Sequence, residues 1–272
     1  MEAITEREFT ELVCYIKQNY GINLTQKKTL ILGRLHNYII QNGFDSFSEY
    51  FQHVVSDHTG KAGTILINKL TTNHTYFWRE PKHFEFLAKV ALPCLIRNAG
   101  DRDLRIWSAG CSTGEEPYTL AMVIDSYLGS EKAQWDTKIL ATDISTAALE
   151  RAEKAVYSTS QLEMLSSQWR GQYCRRVDAE NSILTDPIRR EVIFRRFNLM
   201  NEVFPFKKKF HLIFCRNVMI YFDAETRREL VNRFYDHTEP GGYLFIGHSE
   251  SINRYESKYK FVAPAVYRKE SQ

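Results

Sequence analysis

Apolar residues recur at intervals of three and four along the first quarter of the chain, which is the spacing of one buried helix face. Four such segments follow one another. Their candidate starts and stops are Thr5 with an acid three positions later, Gly21, Thr25, and Asp45 or Ser46. The pattern predicts an all-helical N-terminal domain over residues 1–75.

The pattern changes after a helical linker predicted over residues 76–103. The strand candidates that follow are residues 104–108, 138–142, 191–197, 210–215 and 242–247, with a last strand near 261–268. Strands that alternate with helices predict an α/β fold with a mostly parallel sheet, here over residues 104–272. An arginine-rich stretch at about 173–196 interrupts this rhythm and predicts a small antiparallel β insertion.

Composition narrows the class of protein. The 272 residues are 43% hydrophobic, which is enough for a packed core, and no apolar run approaches the ~20 residues that span a bilayer. The polar first residues argue against a secretory signal. Five cysteines are scattered without CxxC spacing, so neither a disulfide framework nor a metal site is expected. These features predict a reduced, cytoplasmic protein that does not insert into a membrane.

The net charge of +3 is too small to indicate a nucleic-acid partner, but the charges are unevenly placed. The predicted second helix lies in a stretch without acids and carries Lys27, Lys28 and Arg34. A basic helix of this kind could dock on an acidic partner, although most charge runs are only solvated surfaces. The arginines between residues 170 and 196 allow the same two interpretations.

The most informative segment spans residues 104–118, where an apolar strand leads through a turn of small residues into a helix opened by two acids. Small residues let a ligand approach the backbone closely. Glu115 and Glu116 would repel a phosphate, so they favour a nucleoside-like cofactor with positive charge, and S-adenosylmethionine fits that description. The alternative is an ordinary turn whose acids interact with the helix dipole.

Polar residues also follow two other predicted strands. Asp143 ends the second strand, whereas Arg216, Asn217 and Tyr221 come after the fourth. Ligands of open parallel sheets bind beyond the carboxyl ends of the strands, so these side chains should surround a single binding site there. An acid placed like Asp143 commonly binds ribose hydroxyls, and capping of the following helix is the alternative.

Four segments in this order resemble the CheR-type chemotaxis receptor methyltransferases. They are LTTNHTYFWR at 70–79, SAGCSTGEEPY at 108–118, FCRNVMIYFD at 214–223 and GGYLFIGHSE at 241–250. The resemblance covers nearly the whole chain. It implies a Rossmann-like class I methyltransferase sheet with an N-terminal all-helical domain and a small antiparallel β insertion.

The resemblance also implies an S-adenosylmethionine-dependent protein-glutamate O-methyltransferase, monomeric, that acts on the cytoplasmic domains of chemoreceptors and releases S-adenosylhomocysteine. Arg79 and Tyr221 match the residues beside the transferred methyl group. The implied cofactor contacts are Asn73, Thr75, Arg79, Glu116, Asp143, Asn198, Leu199, Arg216 and Asn217. Lys27, Lys28 and Arg34 become candidates for docking on the acidic receptor helices. The loop at 177–182 lacks the glycine of relatives that grip a receptor tail peptide, so tether-independent action is expected.

Two rival functions remain to be weighed. A non-catalytic receptor adaptor could retain this fold, but it would have no need of Arg79, Glu116, Asp143 and Asn217. A methyltransferase of RNA or small molecules would need a basic groove or an enclosed pocket without a docking helix. The match of several long motifs favours the receptor methyltransferase over both.

Overall fold

The computed structural model describes residues 4–71, 74–253 and 255–271, and it begins with four helices. They are α1 (Glu6–Tyr20), α2 (Lys28–Gln41), α3 (Phe47–Ser56) and α4 (Lys61–Leu70). The helices bury a common apolar core that includes Ile16, Ile31, Leu35, Ile39 and Leu66. This confirms the all-helical start of the chain.

Most of the predicted helix ends are confirmed. The Thr5 hydroxyl accepts from the backbone N–H of Glu8, whose carboxylate accepts from the N–H of Thr5 in return. Gly21 ends α1 in the left-handed conformation, and the Ser46 side chain caps α3. The prediction that Thr25 caps α2 is wrong. Its hydroxyl donates to Asn23 at 2.7 Å, and α2 begins three residues later without a side-chain cap.

A broken helical segment connects the helical unit to the sheet. It consists of α5 (Pro81–Phe86), a π-helical turn (Leu87–Ala91) and α6 (Leu92–Asn98). The remaining helices are α7 (Glu115–Leu128) with a 3-10 turn (Gly129–Gln134), α8 (Thr146–Lys154), α9 (Thr159–Leu162), α10 (Ser167–Tyr173), α11 (Asp186–Arg189) and α12 (Ala224–Asp236). Of the helices described, none is long and apolar enough to cross a membrane.

Seven strands form the main sheet, in the spatial order β6-β2-β1-β7-β8-β10-β9. They are β1 (Ile106–Ala109), β2 (Ile139–Asp143), β6 (Val192–Arg196), β7 (Phe210–Cys215), β8 (Thr238–Ile246), β9 (Lys260–Ala263) and β10 (Val266–Arg268). The first five pair in parallel, and β9 and β10 add an antiparallel edge. The single strand predicted near 261–268 is therefore two strands, because a turn through Ala265 (φ 59°) reverses the chain. The α/β class is confirmed.

The order of the strands reverses at β1, which lies between β2 and β7. In an open parallel sheet a reversal leaves a crevice beyond the carboxyl ends of the two neighbouring strands. The ends of β1, β2 and β7 are the three places where the sequence carries polar candidate residues. The topology thus directs all three groups to one crevice.

A second, three-stranded antiparallel sheet has the order β3-β5-β4. Its strands are β3 (Val156–Ser158), β4 (Cys174–Arg176) and β5 (Asn181–Leu184). It therefore draws one strand from before residue 173, whereas β6, at the end of the predicted insertion, belongs to the main sheet. The exact domain boundaries stay a prediction.

The helical unit packs directly on one face of the main sheet. A single hydrophobic cluster contains Leu35 and Leu66 from the helices together with Trp107 and Ile213 from the central strands. Polar contacts reinforce this seam: the N–H of Asn23 donates to the Tyr221 carbonyl at 2.8 Å. The helices therefore form one side of the crevice.

Candidate cofactor-binding site

An open cleft of about 1040 Å³, its mouth included, lies at the carboxyl edge of β1, β2 and β7. Its walls include Tyr20 and Ile67 from the helical unit. They also include nine residues predicted from the sequence: Thr75, Arg79, Glu116, Asp143, Asn198, Leu199, Arg216, Asn217 and Tyr221. The tenth predicted contact, Asn73, lies outside the described residues. The structure brings together residues that lie between positions 20 and 222 of the chain.

The turn after β1, which lines the cleft at residues 110–112, requires glycine at two positions. Gly110 has a φ of 87°, and a Cβ there would lie 2.4 Å from Val218 Cγ2. Gly114 has a φ of 95°, and its Cβ would meet Ala152 and Tyr157 at 2.9 Å. Both positions combine a left-handed backbone with a close neighbour, so other residues would be strained. The glycines fix the turn against β7 on one side and α8 on the other.

Asp143 joins the ends of β1 and β2. Its carboxylate accepts from the N–H of Ser112 at 2.8 Å and from the N–H of Ser145 at 2.9 Å. The cap of α8 is the Ser145 hydroxyl, which accepts from Ala148, so the helix-cap alternative for Asp143 does not hold. Burial raises the pKa of Asp143, although these backbone N–H groups oppose that effect. The carboxylate remains half-buried on the cleft wall, where it can accept further hydrogen bonds.

Glu115 and Glu116 have separate environments. Glu115 is only 1% exposed and accepts from the Thr113 hydroxyl at 2.7 Å, which ties it to the turn. Glu116 reaches the cleft and accepts from Ser108 at 2.7 Å and from Arg216 at 3.0 Å. Burial raises the pKa of Glu116, with the Arg216 guanidinium acting in the opposite direction. Glu115 therefore stabilises the turn, whereas Glu116 places a carboxyl group in the cleft.

Arg216 is a buried cation held between two carboxylates. Its side chain is 1% exposed and lies 3.0 Å from Glu116 and 3.2 Å from Glu80. The guanidinium also donates to the Arg79 carbonyl and stacks 5.3 Å from the centre of the Phe84 ring. Charged side chains are rarely buried this deeply unless they are paired. Arg216 thus fixes the segment around residues 79–84 against the end of β7.

Asn217 is held in a left-handed conformation, with φ 59°, by a buried acid that follows β8. The Glu250 carboxylate accepts from the N–H groups of Asn217 at 3.0 Å and Ile220 at 3.1 Å, and also from that of Gly247. Burial raises the pKa of Glu250, and these N–H donors counteract it. Glu250 lies in a matched sequence segment, but its role could not be read from sequence because its partners are backbone groups.

Arg79 differs from Arg216 in being available to a ligand. Its guanidinium donates to the His74 carbonyl at 2.7 Å and lies 5.7 Å from the centre of the Tyr76 ring. Among residues 4–71, 74–253 and 255–271 it forms no ion pair. Tyr221 ends a 3-10 turn (Met219–Tyr221) and lines the same cleft. A guanidinium on the cleft wall is suited to holding an anionic group.

Sequence reasoning missed a cluster behind Arg216. Glu80 accepts from the side chain of Asn217 at 3.2 Å, and the backbone N–H of His248 lies 3.3 Å from it. Burial works against ionisation of Glu80, but Arg216 and Asn217 lower its pKa below the ordinary value. Burial lowers the pKa of His83 to about 3, and the Arg216 guanidinium adds to that effect. Glu80 and His83 are close in sequence, but Arg216, Asn217 and His248 come from distant segments, so no sequence motif marks the cluster.

The predicted docking cations have different surroundings. Lys27 is exposed at the start of α2, and Lys28 pairs with Glu6 at 2.6 Å. Arg34 donates to the carbonyls of Leu70 at 2.8 Å and Thr71 at 2.9 Å, at the C-terminal end of α4. Lysines at a helix N-terminus oppose the helix dipole, so the placement of Lys27 and Lys28 is not explained by helix stability.

Comparison with known protein families finds two adjacent matches that together span most of the chain. Residues 7–71 match the family described as CheR methyltransferase, all-alpha domain. Residues 73–267 match the one described as CheR methyltransferase, SAM binding domain. The first match covers the four N-terminal helices and the second covers the sheet with its cleft.

Relatives of known name are similar over nearly their full length. The chemotaxis protein methyltransferase of Borreliella burgdorferi is 42% identical over 271 residues, which cover 98% of this chain and 95% of the relative. A probable chemotaxis protein methyltransferase of Rhizobium etli is 39% identical, with 90% and 92% covered. The chemotaxis protein methyltransferase of Escherichia coli is 35% identical, with 97% and 91% covered.

Proposed function

Because the chain belongs to the CheR methyltransferase family, we propose that it transfers a methyl group from S-adenosylmethionine to glutamate side chains of chemoreceptors, forming glutamyl methyl esters. Membership makes the chain a chemotaxis methyltransferase that uses S-adenosylmethionine. The glutamate substrate, the ester product and the receptor partner are the proposal. The observation that carries it is a cleft whose lining includes the acids Glu116 and Asp143 together with Arg79, which forms no ion pair with any residue that the structure describes.

The acids of the cleft fit a cationic nucleoside. Asp143 lies at the end of β2 with its carboxylate half-buried, where it can accept hydrogen bonds from ribose hydroxyls. Glu116 adds negative charge beside the small-residue turn, which suits a sulfonium and disfavours a phosphate. Asn198 and Leu199, which follow β6, also line the cleft. We therefore assign the nucleoside part of the cofactor to the side of the cleft nearest β1 and β2.

The reaction requires little acid–base chemistry from the protein. A glutamate side chain, with a reference pKa of ~4.3, is already ionised at neutral pH, so no general base is needed. When bound, S-adenosylmethionine supplies an electrophilic methyl group on a sulfonium. Arg79 holds and orients a carboxylate, and Tyr221 forms a wall and a hydrogen-bonding group beside the reacting atoms. Positioning of this kind can contribute ~7–11 kcal/mol to catalysis in favourable cases.

The basic start of α2 is assigned to receptor docking. The cytoplasmic helices of chemoreceptors carry acidic methylation sites, and Lys27 is an exposed cation on the helical unit that borders the cleft. Complementary charge increases the rate of encounter and fixes the register more than it tightens binding. Arg34 contributes indirectly, because its contacts with Leu70 and Thr71 hold α2 against the end of α4.

Replacement of Arg79 tests the proposal. Labelled methyl transfer to a purified receptor cytoplasmic fragment should fall at least about tenfold in Arg79→Ala, which corresponds to a loss of ~1.4 kcal/mol. Lys82→Ala, which removes an exposed cation three residues away, is the matched control and should retain full transfer. Near-normal methylation by Arg79→Ala would contradict the role given to this residue.

A further inference from the structure

Glu80, His83 and His248 form a cluster behind the cleft with the composition of a metal site. Their ligand atoms all lie within 4.8 Å of one another. Glu80 immediately precedes α5, and His83 follows one turn later on the same side. His248 comes from the turn after β8 and is exposed to solvent, so a cation could reach the cluster from outside.

The distances within the cluster match those between the ligands of a metal ion. His83 Nδ1 lies 3.3 Å from Glu80 Oε2, close to the ~3.4 Å between two ligands of a tetrahedral zinc with bonds of ~2.1 Å. The His83 side chain is 1% exposed, and within the described structure neither of its ring nitrogens makes a well-aligned hydrogen bond, although the backbone of Pro264 lies close to the ring. Buried polar groups are nearly always satisfied, so these nitrogens require an explanation.

The charges around the cluster leave room for a cation. Glu80 and Glu116 share the Arg216 guanidinium, which places two carboxylates around one buried positive charge. An imidazole ring binds a metal through the lone pair of one ring nitrogen. The rings of His83 and His248 lie 4.5 Å apart, so both can face the same point.

We propose that Glu80, His83 and His248 bind a divalent transition-metal ion, with Zn²⁺ the best match to two imidazoles and one carboxylate. The spacing of the three residues in sequence gave no indication of this site, because His248 belongs to a distant segment. Glu80 also contacts Arg216 and Asn217, which line the cleft. A metal that draws on Glu80 therefore competes with these contacts, and metal and cofactor binding should be thermodynamically linked.

Zinc binding to the full-length, metal-free protein tests the proposal. Calorimetric titration should show one Zn²⁺ per chain, and Co²⁺ in its place should give the intense visible absorption of a tetrahedral site. His248→Ala is the test variant, because its exposed side chain can be removed without disturbing the core. It should weaken Zn²⁺ binding at least about tenfold, since even the loss of a residue that only supports a metal ligand commonly costs that much affinity. His58→Ala, an exposed histidine of the helical unit, is the control and should bind zinc like the wild type.

Two results would overturn the site. One is the absence of stoichiometric zinc binding by the wild-type protein, and the other is equal affinity in the wild type and His248→Ala. Circular dichroism of each variant checks that the fold is retained. The assay needs no methyl transfer, so it remains informative even if the glutamate substrate is wrong.

Discussion

Single residues in this protein act by fixing the backbone of the cleft. Glu250 uses both carboxylate oxygens to hold the N–H groups of Asn217, Ile220 and Gly247, and so shapes the loop after β7. Gly110 and Gly114 do the same for the turn after β1, through backbone conformations that other residues rarely adopt. The polar groups that face the cleft are thus positioned in part by Glu250 and Gly114, which do not line it themselves.

The role of Glu250 can be tested by Glu250→Gln. The amide keeps one acceptor oxygen but places an NH₂ group against backbone donors, so the loop with Arg216 and Asn217 should loosen. We expect stability to fall by about 1–3 kcal/mol, the cost of leaving buried donors unsatisfied. Affinity for S-adenosylhomocysteine should fall about tenfold, which equals ~1.4 kcal/mol. Calorimetry and thermal unfolding provide the two measurements.

Glu256→Gln, at an exposed position, is the matched control for Glu250→Gln and should change neither quantity. If Glu250→Gln binds S-adenosylhomocysteine as tightly as the wild type, the loop does not depend on the carboxylate. Glu250 would then contribute at most to the stability of the fold and not to cofactor binding.

At the scale of elements, the ends of β1, β2 and β7 could be predicted because strands alternate with helices and carry polar residues at their ends. The helix starts at Thr5 and Ser46 could also be predicted, because each cap is a hydrogen bond to a residue only three positions later. The prediction that Thr25 caps α2 is wrong because the Thr25 hydroxyl donates to the Asn23 side chain, a contact that the helix-cap pattern does not include. The Glu80, His83 and His248 cluster could not be predicted, because its members meet only once the sheet has formed.

The basic start of α2 makes a prediction at this scale. Lys27→Glu should slow receptor methylation, and the loss should be larger at low salt than at high salt, because screening weakens charge interactions at an exposed site. Initial rates across a salt series measure this effect. Lys207→Glu makes the same charge change at an exposed residue just before β7, at the opposite edge of the sheet, and should have little effect. A salt-independent loss in Lys27→Glu would argue against electrostatic docking.

At the scale of the whole molecule, the helical unit and the sheet share one core. Leu66 on α4 and Trp107 on β1 belong to the same hydrophobic cluster, and Asn198 donates to the Asn19 carbonyl at 2.7 Å across the seam. This packing makes the helical unit, which we propose as the docking surface, also a wall of the cleft. Because the two parts share one core, the predicted domain boundary near residue 75 does not mean that the helical unit and the sheet fold independently.

Shared packing predicts that the two parts unfold together. Leu66→Ala removes a fully buried side chain and should cost about 2–5 kcal/mol. The four tryptophans all lie after residue 75, so their fluorescence follows the sheet and not the N-terminal helices. The fluorescence midpoint should nevertheless fall in Leu66→Ala, whereas Ile65→Ala, at a largely exposed neighbour, should hardly change it. An unchanged fluorescence midpoint in Leu66→Ala would mean that the parts unfold separately.

The central claim is that the cleft delivers a methyl group to a glutamate carboxylate. The most direct measurement is labelled methyl transfer from S-adenosylmethionine to a receptor cytoplasmic fragment, followed by mild alkaline treatment. A glutamyl methyl ester hydrolyses to volatile labelled methanol, so the label should leave the fragment and should be absent when the acceptor glutamates are replaced by alanine. Label that survives alkali, or that persists without those glutamates, would contradict the account.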